Sequence, residues 1–140
     1  GGIVFFSAFV APVIFTRLPI AQAGAVVSVV FPRYYILGYV TGVISFILAF
    51  YFAAARGPRG WWTLATVVLA IALALTIYAG AVVRPRVDAI RTVAEERNPD
   101  PARRAEFDHL HHLSVVLNGA VLALDVIALI GTAAALAPRV

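Results

Sequence analysis

Four polar residues recur at helical spacing in the last third of the chain, and their side chains are the ones best able to do chemistry. They are His111, Ser114, Asn118 and Asp125, and their neighbours are mostly valine, leucine and alanine. Positions seven apart drift by only about 20° around a helix, and Ser114 falls within the same sector. The spacing therefore predicts a polar face on an apolar helix, where Asp125 could hold a proton or a cation and His111 could relay protons or ligate a haem iron.

Each of these side chains also has a purely structural interpretation. A protonated Asp125 could hydrogen-bond to a neighbouring helix, and Ser114 and Asn118 could do the same without any chemistry. If lipid begins near Leu113, Asp125 lies roughly 18 Å deep, where a carboxylate costs roughly 2.5–3.5 kcal/mol. No arginine or lysine is expected at that depth, which favours a neutral Asp125, a bound cation or a partner from another chain.

Other predicted helices offer polar side chains at matching depths. Counted from the arginine-rich side, Thr41 and Tyr78 lie near the level of Asn118, and Ser45 lies near that of Asp125. Ser7 lies between these two levels. These residues could complete a small polar site within the membrane.

A cluster of histidines precedes the polar face. Asp108 and His112 are four residues apart and His109 and His112 are three apart, so either pair can share a helix face. Such a pair suits zinc, copper or another nitrogen-preferring metal, although the remaining ligands would have to come from elsewhere. The alternative is that these histidines contact water and phosphates at the membrane surface. The absence of cysteine excludes thiolate metal ligands and disulfides.

The composition suits lipid rather than water as the solvent. Of 140 residues, 62% are hydrophobic and 13% are charged, which is too little charge to cover a soluble domain of this size. The net charge is +4 and every basic residue is an arginine. Because the arginines lie beside apolar segments, they favour anionic lipid headgroups over nucleic acid as partners. Four spans would use nearly the whole chain, which argues against an enzyme acting on a soluble substrate.

The apolar runs predict an all-α integral membrane protein, a four-helix bundle formed by a single domain over residues 1–140. The predicted spans cover about residues 3–16, 34–55, 61–83 and 111–137. The first span is short and the chain contains no methionine, so we expect residues to precede Gly1.

Three further elements are predicted between and before these spans. Residues 20–31 are apolar but too short to cross, which predicts an interfacial helix after the first span. The polar residues 86–97 predict an amphipathic surface helix between spans three and four. Asp100 and Pro101 predict the N-cap and first turn of a long last helix that ends near Ala137.

Arginines and tryptophans at the ends of the spans predict the orientation in the membrane. Headgroup contacts are expected from Arg33, Arg84, Arg86, Trp61 and Trp62. One side of the membrane would hold eight arginines: Arg17, Arg33, Arg84, Arg86, Arg91, Arg97, Arg103 and Arg104. The other side would hold only three: Arg56, Arg59 and Arg139. The positive-inside rule then places the arginine-rich loops in the cytoplasm of a multi-pass protein, which we expect in a bacterial cytoplasmic membrane.

Small residues on the second span predict close helix packing. Gly38 and Gly42 form a G-x-x-x-G pair that Ser45 and Ala49 continue. A helix of the same chain or of another membrane subunit could approach this face closely.

Four short motifs form a recognisable pattern along the chain: residues 1–6 (GGIVFF), 11–15 (APVIF), 31–35 (FPRYY), and the spaced set Phe107, Leu110, His111, Ser114 and Asn118. The pattern resembles the transmembrane-protein-two-hundred-five-like domain family, four-helix membrane proteins of unknown molecular function. The resemblance implies signature positions at Pro12, Phe31, Pro32, Arg33, His111, Ser114 and Asn118, and it does not include Asp125. More distantly, the layout is similar to copper-resistance D-like proteins and to a haem-using membrane protoporphyrinogen oxidase.

Three hypotheses about function follow. The first is an intramembrane site for a metal ion, haem or proton, built around His111, Asn118 and Asp125. The second is a non-catalytic accessory or structural subunit of a larger membrane complex. The third is a proton or cation transporter, which would need an oligomer because four spans do not enclose a wide polar pore.

Overall fold

A computed structural model of the chain describes residues 1–57, 60–94 and 100–137. Within these ranges the chain is almost entirely helical and has no β-strand. Three helices are long and apolar enough to cross a membrane, and a shorter apolar helix precedes them. In chain order, the helices are α1 (Gly2–Arg17), α2 (Ile20–Arg56), α3 (Trp61–Ile90) and α4 (Pro101–Leu136). The predicted all-α class is confirmed, and the chain is a multi-pass integral membrane protein.

The outer surface of the helices is apolar. Ile36, Phe50 and Leu129 are 59%, 58% and 68% exposed, and many other large hydrophobic side chains are similarly open. No polar or charged residue is fully buried in the part of the chain that the structure describes. An apolar surface of this extent would drive aggregation in water but is solvated by lipid tails.

The prediction of a separate interfacial helix at residues 20–31 is wrong, because α2 runs without interruption through Pro32. Proline cannot donate to the carbonyl four residues earlier, which normally weakens a helix. The carbonyl that loses its donor is that of Ser28, whereas the Arg33 side chain donates from Nη1 to the next carbonyl oxygen, that of Val29, at 2.8 Å. In lipid, ending a helix exposes several unsatisfied backbone groups, so continuing through one proline costs less.

The third span was predicted to stop at residue 83 and to be followed by a separate surface helix at 86–97, and this prediction is also wrong. α3 continues to Ile90, a short 3₁₀ helix follows at Arg91–Ala94, and residues 95–97 lie outside the described ranges. A π-helical turn, Ala79–Val83, comes immediately before Arg84 and Pro85. In a π-helix each N–H bonds to the carbonyl five residues earlier rather than four. The wider turn makes space for the Pro85 ring beside the carbonyl that it would otherwise strike.

The same arrangement recurs in α1, where the π-helical turn Phe6–Val10 comes before Ala11 and Pro12. Each of the two helices thus continues through a proline by means of one widened, π-helical turn. In α3 the continuation is also supported by an ion pair, since Arg84 Nη2 lies 3.0 Å from Asp88 Oδ2.

α3 is the central helix of the fold. It packs along both α2 and α4, whereas α2 and α4 make almost no direct contact with each other. α1 lies against the first half of α2 through Phe6, whose ring is 5.4 Å from the rings of both Phe31 and Tyr34. This arrangement leaves a groove between α2 and α4, with α3 as its floor, so the closed four-helix bundle stays a prediction.

The contact between α2 and α3 depends on small residues. A Cβ atom on Gly38 would lie 3.3 Å from Thr76 Cγ2, and one on Gly42 would lie 3.0 Å from Leu73 Cδ1. The predicted close approach at these glycines is therefore made to α3 within the same chain. Docking of another subunit on the Gly38 and Gly42 face stays a prediction.

The last helix begins at Pro101 as predicted, and Asp100 is its N-cap. The Asp100 Oδ1 atom accepts a hydrogen bond from the Ala102 backbone N–H at 3.1 Å. This bond satisfies one of the free N–H groups at the start of the helix.

We expect Asp100→Ala to fray the first turn of α4, because the capping acceptor is lost at a cost of about 0.5–2 kcal/mol. Hydrogen–deuterium exchange at residues 102–104 measures the effect, and Asp100→Asn is the control because asparagine caps equally well. Equal protection of these amides in all three proteins would show that the cap contributes nothing.

Candidate intramembrane binding site

The groove between α2 and α4 contains a half-open cavity of about 820 Å³. Its walls extend along α2 between Tyr34 and Phe52, a rise of about 27 Å, and along α4 between Asn118 and Thr132. Leu69, Leu73 and other α3 residues form the floor, and residues 1–4 of α1 border one end. Most of the lining is apolar, and the cavity opens sideways toward the lipid.

Eight side chains with polar atoms line this cavity, from all of the three long helices: Tyr34, Thr41, Ser45, Trp62, Thr76, Asn118, Asp125 and Thr132. The three threonine hydroxyls donate to carbonyls of their own helices, at 2.8 Å to Leu37, 2.8 Å to Ala72 and 2.9 Å to Leu129. Their hydrogens are therefore already used. The remaining side-chain donors are on Tyr34, Ser45, Asn118 and Trp62, and the Trp62 indole N–H is buried without a hydrogen-bond partner.

Asp125 is the one carboxylate among the cavity residues that the structure describes, and no arginine or histidine accompanies it there. The side chain is only partly exposed and makes no hydrogen bond or ion pair with any other described side chain. The Tyr34 hydroxyl on α2 and the amino group of Gly1, which also borders the cavity, are the groups that interact electrostatically with it. The cavity thus contains a carboxylate that no described side chain neutralises.

α4 positions Asp125 by its helical repeat. Asn118, Leu122, Asp125, Leu129 and Thr132 are spaced alternately by four and three residues and all line the cavity. Residues at this spacing share one helix face. The C-terminal part of the predicted polar face therefore exists, because Asn118 and Asp125 line one cavity.

The N-terminal part of the predicted face, His111 and Ser114, does not line the cavity. His111 is exposed and stacks on Phe107, with ring centroids 6.0 Å apart and planes only 3° from parallel. The Ser114 hydroxyl donates to the His111 carbonyl oxygen at 2.7 Å. His111 and Ser114 consequently do not share a site with Asn118 and Asp125.

The three candidate metal ligands do not form a cluster. His109 and His112 are exposed, and the Asp108 Oδ2 atom lies 3.3 Å from Arg104 Nε in an exposed ion pair. Among the described residues, no three histidine, aspartate or glutamate side chains come close enough together to hold a metal ion. A metal site at His109, His112 and Asp108 stays a prediction.

The residues predicted to contact lipid headgroups have different surroundings. Arg86 and Trp61 are exposed, whereas Arg84 pairs with Asp88 and is partly buried. Trp62 instead turns inward, where it lines the end of the cavity and stacks on Phe52 with ring centroids 4.6 Å apart. The predicted positions Arg59, Arg97 and Arg139 lie outside the described residues.

Depth matching found part of this cavity and missed part of it. Thr41 and Ser45 line it as predicted, but Tyr78 and Ser7 do not. Thr132 was missed, although it lies seven residues after Asp125 and so continues the same helical repeat. Tyr34 was missed because no local signal in the sequence shows which helix it faces.

Comparison with known proteins identifies the family but no activity. The family model described as "Domain of unknown function (DUF4149)" matches residues 1–96. No curated protein and no solved structure matches the chain. The resemblance to transmembrane-protein-two-hundred-five-like and copper-resistance D-like proteins is not confirmed by this match.

The matched part of the chain contains α1, α2 and α3, including Pro12, Pro32 and Arg33, while Asn118 and Asp125 lie beyond it. The match covers more than half of the 140 residues. The chain therefore belongs to the DUF4149 family, whose function is unknown.

Proposed function

We propose that this protein is a membrane-embedded binding protein whose cavity accepts a positively charged group at Asp125. The observation that supports the proposal is the position of Asp125 in a largely apolar cavity, without a hydrogen bond or ion pair to any described side chain. An isolated carboxylate there costs roughly 2.5–3.5 kcal/mol. Binding a proton or a cationic group removes this cost, which gives the site its selectivity for positive charge.

The apolar lining favours an organic cation over a hydrated metal ion. A Mg²⁺ or Ca²⁺ ion is held mainly by carboxylates, carbonyls and water, and Asp125 is the one carboxylate among the described cavity residues. Haem or a transition metal needs nitrogen or sulfur ligands, and His111 does not line the cavity. A proton, or an organic cation that the apolar lining can accommodate, therefore suits this geometry best.

The accessory-subunit hypothesis is the second candidate, and the open groove favours it. α2 and α4 leave a lipid-facing gap that a helix of another membrane protein could fill. In either case we expect the arginine-rich ends of the helices to face the cytoplasm.

We expect purified protein in lipid nanodiscs to bind tetraphenylphosphonium, a lipophilic cation, and Asp125→Asn to weaken this binding by about tenfold or more. The loss of one charge in a low-dielectric site accounts for the size of the effect. Isothermal titration calorimetry measures the affinity, and circular dichroism checks that the variant is folded.

Glu106→Gln is the matched control, because Glu106 is an exposed carboxylate on the same helix and does not line the cavity. Its affinity for tetraphenylphosphonium should equal that of the unmodified protein. If Asp125→Asn also leaves the affinity unchanged, Asp125 does not bind positive charge and the proposed function is wrong.

A further inference from the structure

We infer that Arg56 binds the phosphate of an anionic phospholipid, in a site that it forms with Phe52 and Trp62 where α2 ends and α3 begins. The site does not involve Asp125 and does not depend on the proposed function. Arg56 is not among the headgroup contacts that the sequence predicts, because its surroundings come from two different helices.

Arg56 lies against two aromatic rings. Its guanidinium carbon is 5.5 Å from the centroid of the Phe52 ring and 5.6 Å from the centroid of the Trp62 ring. The two rings stack on each other with centroids 4.6 Å apart and planes 28° from parallel. An arginine within about 6 Å of a ring centroid is attracted to the ring. The two rings therefore hold the guanidinium in place, which reduces the entropy lost when a ligand binds to it.

The N–H groups of Arg56 are available to an anion. The side chain is exposed and makes no hydrogen bond or ion pair with any described residue. A guanidinium presents its N–H groups as a planar fork that matches two oxygens of a phosphate. By contrast, Arg84 and Arg104 each pair with an aspartate four residues later on the same helix. Arg56 thus combines a fixed position with unused donors.

The charge at this end of the molecule favours an anionic lipid over a zwitterionic one. Six of the seven acidic residues lie between positions 88 and 108, toward the opposite ends of α3 and α4. The seventh, Asp125, lies six residues before Gly131, which is about 9 Å along the helix axis. Gly131 is the α4 residue beside the Trp61 carbonyl oxygen. No described acidic side chain offsets Arg56, and a zwitterionic headgroup would bring its own cation close to the guanidinium.

The level of Arg56 in the membrane suits a phosphate. Trp61 begins α3 and is exposed, and tryptophans at the ends of spans lie at the level of the headgroups. Arg56 is the last residue of α2 and lies on Trp62, so its guanidinium is at the same level. Toward the membrane interior, the exposed side chain of Leu48 on α2 offers an apolar surface to an acyl chain. A phospholipid at this site would therefore place its phosphate and its chains in matching surroundings.

Tryptophan fluorescence tests the inference, because both tryptophans of the chain, Trp61 and Trp62, are at this end of the molecule. The protein is reconstituted into phosphatidylcholine vesicles that contain a small fraction of a quencher lipid, with a nitroxide near the start of one acyl chain. The quencher lipid is either phosphatidylglycerol or phosphatidylcholine with the same chains. We expect phosphatidylglycerol to occupy the site about fivefold more strongly, which is the effect of one arginine near an anionic headgroup.

Three variants locate the preference. Arg56→Ala should remove it, and Phe52→Leu should reduce it although the charge is retained, because one of the two rings is lost. Arg17→Ala is the matched control and should keep the full preference, since Arg17 is also exposed and is also the last residue of its helix. The ratio of the two quencher lipids cancels changes in tryptophan brightness, and circular dichroism checks that each variant is folded.

Several results would overturn the inference. Equal quenching of the unmodified protein by the two lipids is one, and a preference that survives Arg56→Ala is another. An equal loss in Arg17→Ala would show that only the net charge of the protein acts. If inorganic phosphate at constant ionic strength abolished the preference, the site would bind free phosphate and the lipid assignment would be wrong. None of these measurements involves Asp125, so their failure is distinguishable from failure of the proposed function.

Discussion

Gly80→Ala should lower the free energy of unfolding by about 1–3 kcal/mol, the usual cost of overpacking a tight contact. Gly80 is buried in the π-helical turn of α3, where the rings of Tyr35 and Tyr39 lie directly against the backbone. A Cβ atom on Gly80 would meet the Tyr39 hydroxyl oxygen and would lie 2.7 Å from Tyr35 Cδ1. Tyr35 is itself buried at the contact between α2 and α3, so it cannot move aside without disturbing that contact.

Gly119→Ala is the matched control for this effect. Gly119 is also inside a long helix, but a Cβ atom there would have nothing within 4 Å. Alanine at this position should stabilise the helix by up to about 1 kcal/mol through its higher helix propensity. Denaturant unfolding in detergent micelles, followed by circular dichroism, measures both variants. If Gly80→Ala stabilised the protein as Gly119→Ala does, helix propensity and not ring packing would govern position 80.

Asp125→Leu should stabilise the folded protein by about 3 kcal/mol, the difference between a mid-membrane carboxylate and leucine on insertion scales. Leucine suits the apolar lining of the cavity, and no hydrogen bond of the described structure is lost. Detergent unfolding gives the change in stability, and tetraphenylphosphonium binding should be lost in the same variant. A residue retained for binding at the expense of stability behaves in this way.

The opposite sign would have a clear meaning. If Asp125→Leu destabilises the protein, the carboxyl group contributes a hydrogen bond to the fold, and Asp125 is structural rather than functional. Asp125→Asn distinguishes the two cases further, because asparagine keeps the hydrogen-bonding capacity and removes the charge. Stability that is restored by asparagine but not by leucine would support the structural role.

Part of the candidate site could be predicted from the sequence because it lies on one helix. The spacing of Asn118 and Asp125 places them on one face of α4, and no other element is needed for that conclusion. Asp100 and Pro101 likewise predicted the start of the helix, because capping is a local interaction. The position of His111 outside the cavity could not be predicted in this way, since it depends on how α2 and α3 lie beside α4.

The two incorrect helix boundaries have a common physical cause. The sequence predicts separate elements on either side of Pro32 and of Pro85, as is common in water. In lipid a broken helix has no water to satisfy its free backbone groups, so the chain continues through both prolines, in α3 after a π-helical turn.

Composition and residue spacing predict lipid as the solvent of this protein, its helical class and the polar face of its last helix, because these are properties of single segments. The packing of the helices is needed to show that Tyr34, Ser45 and Trp62 face the same cavity as Asp125, and that α2 and α4 stand apart. An apolar side chain is about equally stable against lipid and against another helix. Hydrophobic periodicity within a membrane therefore does not show which faces meet, and that information lies in shape complementarity between helices.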